Sequence, residues 1–544
     1  MDYQALADLL FPHLKYTREY YEEKYPKRVL KDKAMVTRFA PSPTGFIHMG
    51  SLYASFVSYV FANQTDGIFY LRIEDTDQKR EVEHGVEQII SDLKKEDISF
   101  DEGPGIGGAY GPYIQSERKE IYEAFVYDLM KRGYAYPAFE TKEELDDLRE
   151  KQEQQKQRLG YYGVYATARN LTYEEIKKHL EQKDPYVIRL KSNGKFEDKF
   201  TFKDCIKGKI ELPSNDMDIV LLKQDGLPTY HFAHVVDDYL MGTTHVVRGD
   251  EWLSSVPVHL QLFRLLGVKA PKYAHIAPLT KKEGTRIRKL SKRYDKECSM
   301  SFYQEEGIPT NAIKIYLATL LNTSFEDYYL SDRQARISNF SFTWNKMSVG
   351  GSLFDLTKLQ FLSKTYLSRL SAEQLYEEIL PFYQTHDNFF YQMITREKEY
   401  TLRVLNVERT GKKPRKDFAT YQDIKKHTWY MYDTYYYEDD TIKRAEIKDS
   451  YDKKLVQHYF EKVYDENDTK DIWYEKLKEF ISQYDYAKTV KEYLQKPGEY
   501  IGHVGDFCEM IRVYLFCSLE TPDIYELLQI LSKERILKRL NHIN

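Results

Sequence analysis

Residues 38–77 read RFAPSPTGFIHMGSLYASFVSYVFANQTDGIFYLRIEDTD. A strand predicted over Val36 to Ala40 enters a Pro/Gly/Ser turn, and the turn opens onto a helix starting near His48. Leu52, Phe56 and Val60 recur one turn apart on one face of that helix. A second predicted strand, Ile68 to Ile73, runs into Glu74, Asp75 and Asp77. Strand, turn, helix and strand in this order make the first unit of a doubly wound sheet, whose ligands bind beyond the strand ends. The turn suits an anion, because a helix N-terminus presents free backbone N–H groups and a positive dipole end. Gly45 and Gly50 keep side chains away from the backbone there, and Pro41 and Pro43 stiffen the approach. His48 can donate a hydrogen bond to a phosphate as charge develops on it.

A second basic element lies far downstream, at Lys289-Leu290-Ser291-Lys292-Arg293, flanked by Lys281, Lys282, Arg286 and Arg288. Lysine is a compact charge on a flexible stem, suited to following a phosphate. Taken alone, such a run reads as a solvated loop. In order behind the 38–77 stretch, with a sheet's worth of chain between, it reads as the second half of one site. At 544 residues the chain is long enough for about three or four domains of roughly 150 residues. The formal net charge of -5 gives no global basic footprint, so a nucleic-acid partner has to be met by local basic patches. Cys205, Cys298, Cys508 and Cys517 lack CxxC spacing and read as reduced thiols of a cytoplasmic protein. No signal peptide or long apolar run is visible, which points away from secretion and membrane spanning. The 48 tyrosines suggest no function by themselves.

The 38–77 stretch resembles the glutamyl-tRNA synthetases, which are class I aminoacyl-tRNA synthetases. His48-Met49-Gly50-Ser51 lies where that class carries His-Ile-Gly-His, and Lys289 to Arg293 resembles its Lys-Met-Ser-Lys-Ser loop. The resemblance extends over EGPGIGGAYGPYIQSER (102–118), PTYHFAHVVDDYLMGTTHVVRGDEW (228–252) and SVGGSLFDLTKLQFL (348–362). It implies an α/β fold: a Rossmann-like doubly wound catalytic domain with an α+β insertion, a helical connector and an all-helical C-terminal anticodon-binding region of bacterial type. The expected divisions are an N-terminal helical extension outside the resemblance (1–33), the first half of the catalytic domain (34–137), an acceptor-binding insertion (138–227), the second half (228–275), a connector with the KLSKR loop (276–347) and the anticodon-binding region (348–544). Within these, a charged helical hairpin is expected over Thr141 to Gly160. An exposed basic loop is expected over Arg403 to Lys416. A buried face begins with Phe354, Leu356, Leu359, Phe361 and Leu362.

The resemblance also assigns residues. His48, Lys289 and Lys292 are the expected catalytic groups. ATP is expected against His48, Gly50, Ser51, Glu251, Trp252, Lys289, Ser291 and Lys292, with Mg²⁺ accompanying it. A free amino acid needs carboxylate clamps and an ammonium acceptor, and the planar fork of arginine matches a carboxylate. Arg38 is assigned to the side-chain carboxylate of glutamate, Arg248 to the α-carboxylate region, Glu74 to the ammonium and Tyr230 to a hydroxyl contact. Ala40, Ser42 and His234 complete the expected glutamate site; His234 stands where relatives often have Asn. Asp75 and Asp77 cap or orient neighbours.

Three other patterns are set aside. Gly103, Gly105 and Gly108 spell G-x-G-x-x-G, but a dinucleotide fingerprint links a strand to a helix, and here the pattern reads as a loop. His231 and His234 beside Asp237 and Asp238 suggest a metal, yet an apolar strand-like setting favours pocket or core roles. Many relatives carry Cys-x-Cys early in the insertion. The matching Tyr136-Pro137-Ala138-Phe139-Glu140 has no cysteine, so no metal ligand set and no structural zinc are expected. The expected partners are L-glutamate and tRNA(Glu), with tRNA(Gln) left open; no membrane is expected and the family suggests a monomer. Three other readings fit less well. A glutaminyl enzyme is disfavoured by Arg248 and the helical C-terminus. A non-catalytic tRNA-binding paralogue has no need of His48, Glu74, Lys289 and Lys292. A truncated enzyme acting on a tRNA base would lack the last roughly 200 residues.

Overall fold

A computed structural model describes residues 1–43, 47–77, 84–291, 293–411, 414–438, 444–496 and 498–542. The expected roles of Gly45 and Lys292 fall outside these residues. The chain forms two compact units, Met1–Phe302 with Lys314–Asp355 and Tyr303–Ile313 with Leu356–Asn544.

The first unit opens with α1 (Tyr3–Leu10) and α2 (Arg18–Lys24). Leu6, Ala7, Leu10 and Tyr21 of these helices are buried with the core of the unit. β1 (Val36–Phe39), α3 (Met49–Asn63) and β2 (Ile68–Leu71) then form the expected strand–helix–strand. β1 and β2 are parallel, with Val36 opposite Ile68 and Phe39 opposite Leu71. α3 buries Leu52, Phe56 and Val60 as its spacing predicts. α4 (Gly85–Lys95) and α5 (Lys119–Lys131) follow, and α5 packs against α1.

Between α4 and α5 the G-x-G-x-x-G segment is a loop closed on itself by Gly103 and Gly107, which exchange backbone hydrogen bonds. Gly108 has φ +132°, and a Cβ there would lie 2.3 Å from the Tyr113 hydroxyl. The N-terminal segment fastens this loop. Arg28 forks onto Glu102 with two 2.7 Å bonds and lies 3.8 Å over the Tyr110 ring.

β3 (Ala135–Ala138), at the end of the expected first catalytic half, is followed over the expected insertion by α6 (Lys142–Gln154), α7 (Tyr173–Glu181), β4 (Val187–Leu190), β5 (Lys199–Asp204), β6 (Gly208–Pro213) and β7 (Val220–Leu222). β3, β4 and β7 form an antiparallel sheet in that order, and β5 and β6 form a hairpin. The expected helical hairpin at 141–160 is instead one helix, α6, started by a Thr141–Glu144 capping box. The Gln152 side chain then ties both backbone polar groups of Gly160, and the chain turns away without a second helix. The Tyr136–Glu140 stretch enters a small core of Tyr136, Ala138, Tyr161, Ala166 and Ala168. Beside it the Tyr136 hydroxyl and Arg169 both meet the buried Asp218 carboxylate.

α8 (Tyr230–Leu240), β8 (His245–Gly249), α9 (Val256–Leu266) and β9 (Lys272–Ile276) return the chain to the nucleotide fold. β8 and β9 are parallel. Thr244, just before β8, exchanges hydrogen bonds with Val36 and so sets β8 beside β1. The segment around His231 and His234, expected to be strand-like, is the helix α8. Its Val235-Val236 pair imitates a strand locally, but the helix is buried continuously from Phe232 to Asp238, so burial shows neither strand alternation nor a single exposed face there.

The KLSKR sequence, expected as a loop of the connector, begins at the last residue of a strand. It ends a β-hairpin of β10 (Leu279–Glu283) and β11 (Arg286–Lys289), which turn at Gly284 with φ +60°. Ser352–Leu353 adds a short parallel strand to β10.

The second unit is built of helices, with one short parallel pair at Tyr486–Ala487 and Gly502–His503. The tyrosine-rich composition has a packing role here. Tyr383, Tyr432, Tyr436 and Tyr459 are core residues, and the Tyr383 and Tyr436 hydroxyls each donate to a backbone carbonyl. Phe361, expected on the buried face, is 44% exposed, whereas Leu359 and Leu362 are buried. The segment expected as an exposed loop is partly helix, Lys398–Asn406. Its Arg409 is buried, donating to the carbonyls of Leu405 and Leu367 at 2.9 and 2.6 Å.

Candidate active site

A cavity of about 1080 Å³ opens at the ends of β1 and β8, beside the N-termini of α3 and α8. Arg38, Ala40, Ser42, His48, Gly50, Ser51, Glu74, Tyr230, Arg248, Glu251, Trp252, Lys289 and Ser291 all line it. Of the other predicted residues, His234 is fully buried behind the lining and Lys292 lies outside the described residues.

His48 is the N-cap of α3. Its Nδ1 accepts from the Ser51 backbone N–H at 3.1 Å, which leaves the ring folded over the helix end. Gly50 permits this arrangement, since a Cβ there would lie 3.1 Å from the imidazole Cε1. Lys289 is exposed at the tip of β11, and the loop that follows it is fixed by Asp295. That carboxylate accepts from the Ser291 N–H at 2.9 Å and from both arms of Arg288. Hydrogen bonding to Arg288 holds Asp295 well below the usual carboxylate range, so the anchor is ionised at neutral pH.

Behind the cavity lies a buried array of arginines and carboxylates. Arg38 donates to Asp238 and to the Val247 carbonyl, each at 3.3 Å. Arg72 bridges Asp238 at 2.7 Å and Glu74 at 3.0 Å. Arg118 donates to Asp237 at 2.7 Å, and Gln115 and the Tyr122 hydroxyl complete that carboxylate. Burying a charge is costly unless it is paired, and here each has an opposite partner. Burial would raise Asp238, but Arg72 and Arg38 outweigh it and hold the group low. At Glu74 burial wins against the same two arginines and raises the carboxyl. Glu74 therefore takes up a proton more readily than Asp238, and it faces the cavity. Asp75 instead orients the chain, accepting from the Ser116 N–H and hydroxyl.

Arg248 is gripped from several sides: by His275, His259, the Tyr230 hydroxyl and the Trp252 carbonyl, at 3.0 to 3.3 Å. The Tyr230 ring packs 4.4 Å from that of Trp252. His234 contacts the Tyr273 hydroxyl through Nε2 at 3.1 Å, while its Nδ1 faces Asp238 at 3.1 Å and Arg38 at 3.5 Å. Burial, with Arg248 and Arg38 nearby, drives its pKa well down, so the ring is neutral.

Arg72, His259, His275, Asp204 and Asp295 are the structural partners that the sequence reading did not single out, and Asp238 entered it only as part of a metal pattern set aside. Arg72 was visible as an arginine within the predicted Ile68 to Ile73 strand; the others have no local signal.

The arrangement places two buried cationic forks and a carboxylate at one end of a cavity, and a helix N-terminus with a lysine-bearing loop along it. Among the described residues no group of three or more His, Cys, Asp or Glu side chains is clustered to cage a metal. The family described as class I tRNA synthetases (E and Q), catalytic domain, matches residues 34–361, and an anticodon binding domain matches 374–544. The chain is 43% identical to a glutamate–tRNA ligase of Clostridium perfringens, across 99% of this chain and 100% of the relative. One from Acetivibrio thermocellus is 44% identical over 100% of both, and one from Thermus thermophilus 35% identical over 93% and 99%. The clostridial similarity therefore takes in nearly all of the N-terminal extension, which the class motifs alone left out. Among solved structures, a glutamate–tRNA synthetase of Elizabethkingia anophelis superposes with a TM-score of 0.70 at 28% identity, covering 94% of this chain and 99% of the other. Matched over its whole length by such enzymes, the chain belongs to the class I tRNA synthetases of the glutamate and glutamine group, and within them to the glutamate–tRNA ligases.

Proposed function

We propose that the protein joins L-glutamate to the 3′-terminal adenosine of tRNA(Glu) in two steps within this cavity. The observation that carries the reading is the placement of Arg38, Arg248 and Glu74 in the same cavity as His48 and Lys289. Glutamate has two carboxylates and one ammonium. Arg38 meets the side-chain carboxylate, Arg248 the α-carboxylate region, and Glu74 the ammonium. Ala40, Ser42, Tyr230 and His234 shape the pocket around them. ATP lies along the α3 N-terminus, where Gly50 and Ser51 approach the phosphates and Glu251 and Trp252 border the nucleoside. The α-carboxylate attacks the α-phosphate in line, and pyrophosphate leaves. Such a transfer depends on positioning and electrostatics, here from His48, Lys289, Ser291 and Lys292. Mg²⁺ binds through substrate phosphates with few protein ligands and would neutralise the leaving group; Asp77 and Glu251 are cavity carboxylates within the same lining. The ribose hydroxyl of the terminal adenosine then displaces AMP from the mixed anhydride.

The insertion is the proposed holder of the tRNA acceptor end and the helical second unit the proposed reader of the anticodon, where unstacked bases can meet aromatic rings and arginines. A monomer in the cytoplasm is the reading that the family favours. None of the helices among the described residues is long and apolar enough to cross a membrane.

The test is aminoacylation with radiolabelled glutamate and, separately, glutamine, on isolated tRNA(Glu) and tRNA(Gln). Glutamate on tRNA(Glu) alone is the result of a discriminating enzyme, and glutamate on both is that of a misacylating one. No glutamate transfer to either, with intact tRNA and ATP, overturns the reading.

A further inference from the structure

We infer that Arg248 is oriented for glutamate by two imidazoles acting as hydrogen-bond acceptors, His259 and His275, each locked into one tautomer by a partner on its far side. The inference rests on the proposed role of the cavity and adds positioning residues to it.

Arginine has five N–H donors and no acceptor, so any nitrogen that bonds to it must offer a lone pair. Arg248 Nε lies 3.0 Å from His275 Nε2, and Nη1 lies 3.2 Å from His259 Nδ1. Those two ring nitrogens are therefore unprotonated, and the proton of each ring sits on the other nitrogen. At His275 that is Nδ1–H, which faces the Asp204 carboxylate at 2.7 Å. At His259 it is Nε2–H, which faces His231 Nδ1 at 3.0 Å. His231 in turn must accept at Nδ1 and keep its proton on Nε2. Asp204 is held as an acceptor by the N–H groups of Ile206, Lys207 and His275 at 2.8, 2.9 and 3.1 Å. His259 and His275 are both fully buried. Burial lowers the pKa of each histidine of the set, that of His231 to about 4, which agrees with neutral rings.

The consequence concerns what Arg248 has left to offer. Tyr230 and the Trp252 carbonyl take two further N–H groups, so four of the five donors are engaged by described residues. The guanidinium presents one remaining Nη2–H, in a direction set by His259 and His275. A second bond to a carboxylate requires exchange with the Tyr230 hydroxyl, at 3.3 Å the longest of the four. Asp204 also passes negative polarisation through His275 to Arg248, which fixes a cation that would otherwise swing toward water.

The experiment compares His275→Leu and His259→Leu, which remove the acceptor, with His275→Gln and His259→Asn, whose amide oxygens replace Nε2 and Nδ1 respectively. Each is assayed in the full chain by aminoacylation of tRNA(Glu). The expected result is a glutamate KM raised about tenfold or more in the Leu variants, with the ATP KM within about twofold of wild type, and a recovery of at least threefold in the amide variants. Equal glutamate KM in folded Leu and amide variants overturns the inference, as does a parallel loss for ATP. Should the Leu variants fail to fold, histidine-selective ¹⁵N spectra of the wild-type chain at pH 7 decide. His275 as the Nδ1–H tautomer and His259 as Nε2–H support the inference, and the opposite tautomer or an imidazolium at either overturns it. A wild-type chain that transfers no glutamate refutes the functional reading instead, which the tautomer spectra do not address.

Discussion

Asp238→Asn isolates the charge at the centre of the buried array. The Asp238 Oδ1 atom receives Arg72 at 2.7 Å, Arg38 at 3.3 Å and the Thr243 hydroxyl at 3.1 Å, while Oδ2 faces His234 Nδ1 at 3.1 Å. The amide of asparagine can keep its carbonyl where Oδ1 stands, so the shape and the hydrogen bonds to that atom survive while the charge is lost. At an effective dielectric constant near 20, a pair at contact distance is worth about 4 kcal/mol. Two such pairs vanish, but Glu74 remains to share Arg72, and the retained hydrogen bonds recover part of the loss. The expected cost is about 3 kcal/mol, the low end of the range for breaking a buried pair. It should be read by hydrogen exchange of the α8 backbone, because the chain has two units and a single unfolding transition cannot be assumed. About 3 kcal/mol corresponds to roughly a hundredfold faster exchange through opening. The same substitution lets Arg38 and Arg72 close on Glu74, so the glutamate KM should rise roughly tenfold with a smaller change in kcat. Exchange within about twofold of wild type together with an unchanged KM would show that Asp238 does not hold the array, and would refute the reasoning.

Three further outcomes are expected. Burial raises the folded-state pKa of Glu74 above its ordinary 4.5; on acidification the folded form therefore takes up this proton before the unfolded one. Through this group stability is gained, not lost, as pH falls, while the ammonium acceptor disappears. The glutamate KM should climb on the acid side beginning above pH 4.5 without a matching fall in thermal stability, and Glu74→Gln should raise KM at neutral pH by roughly tenfold and flatten that limb. Asp295→Asn weakens the tie between Arg288 and the Ser291 N–H. It should lower the rate of pyrophosphate exchange roughly tenfold while leaving the glutamate KM near wild type, and an unchanged rate would remove Asp295 from the loop's support. In the second unit, Arg409→Met leaves buried carbonyls of Leu367 and Leu405 without their donor and should cost about 2–4 kcal/mol, seen as faster amide exchange in Lys398–Asn406 with no effect on ATP binding.

The 38–77 stretch was legible because its signals are local: prolines and glycines at the turn, a cap at His48, and Leu52, Phe56 and Val60 at helical spacing. Arg38, Glu74 and Arg248 were picked out by the family resemblance, and all three line the cavity. Their partners were not legible, because folding brings them from far along the chain. Asp238 is 200 residues from Arg38, and Asp204 is 71 from His275. The α8 reading failed where two adjacent valines resembled a strand, although the spacing of Tyr230, His234 and Asp238 puts them on one helical face. Ahead of KLSKR, the run of charge from Lys281 to Lys289 concealed a hairpin. The expected second helix after α6 overlooked Gly160, which Gln152 caps in a turn.

The Asp204 carboxylate belongs to β5, within the insertion, yet its partner His275 lies on β9 of the nucleotide fold. The insertion is therefore not an interchangeable cassette. A chimera that imports this segment from a relative lacking an acid at position 204 would leave His275 free to turn over. Recombination between lineages is then constrained to carry the two positions together, even though one sits in the segment proposed to hold tRNA and the other beside the proposed glutamate site.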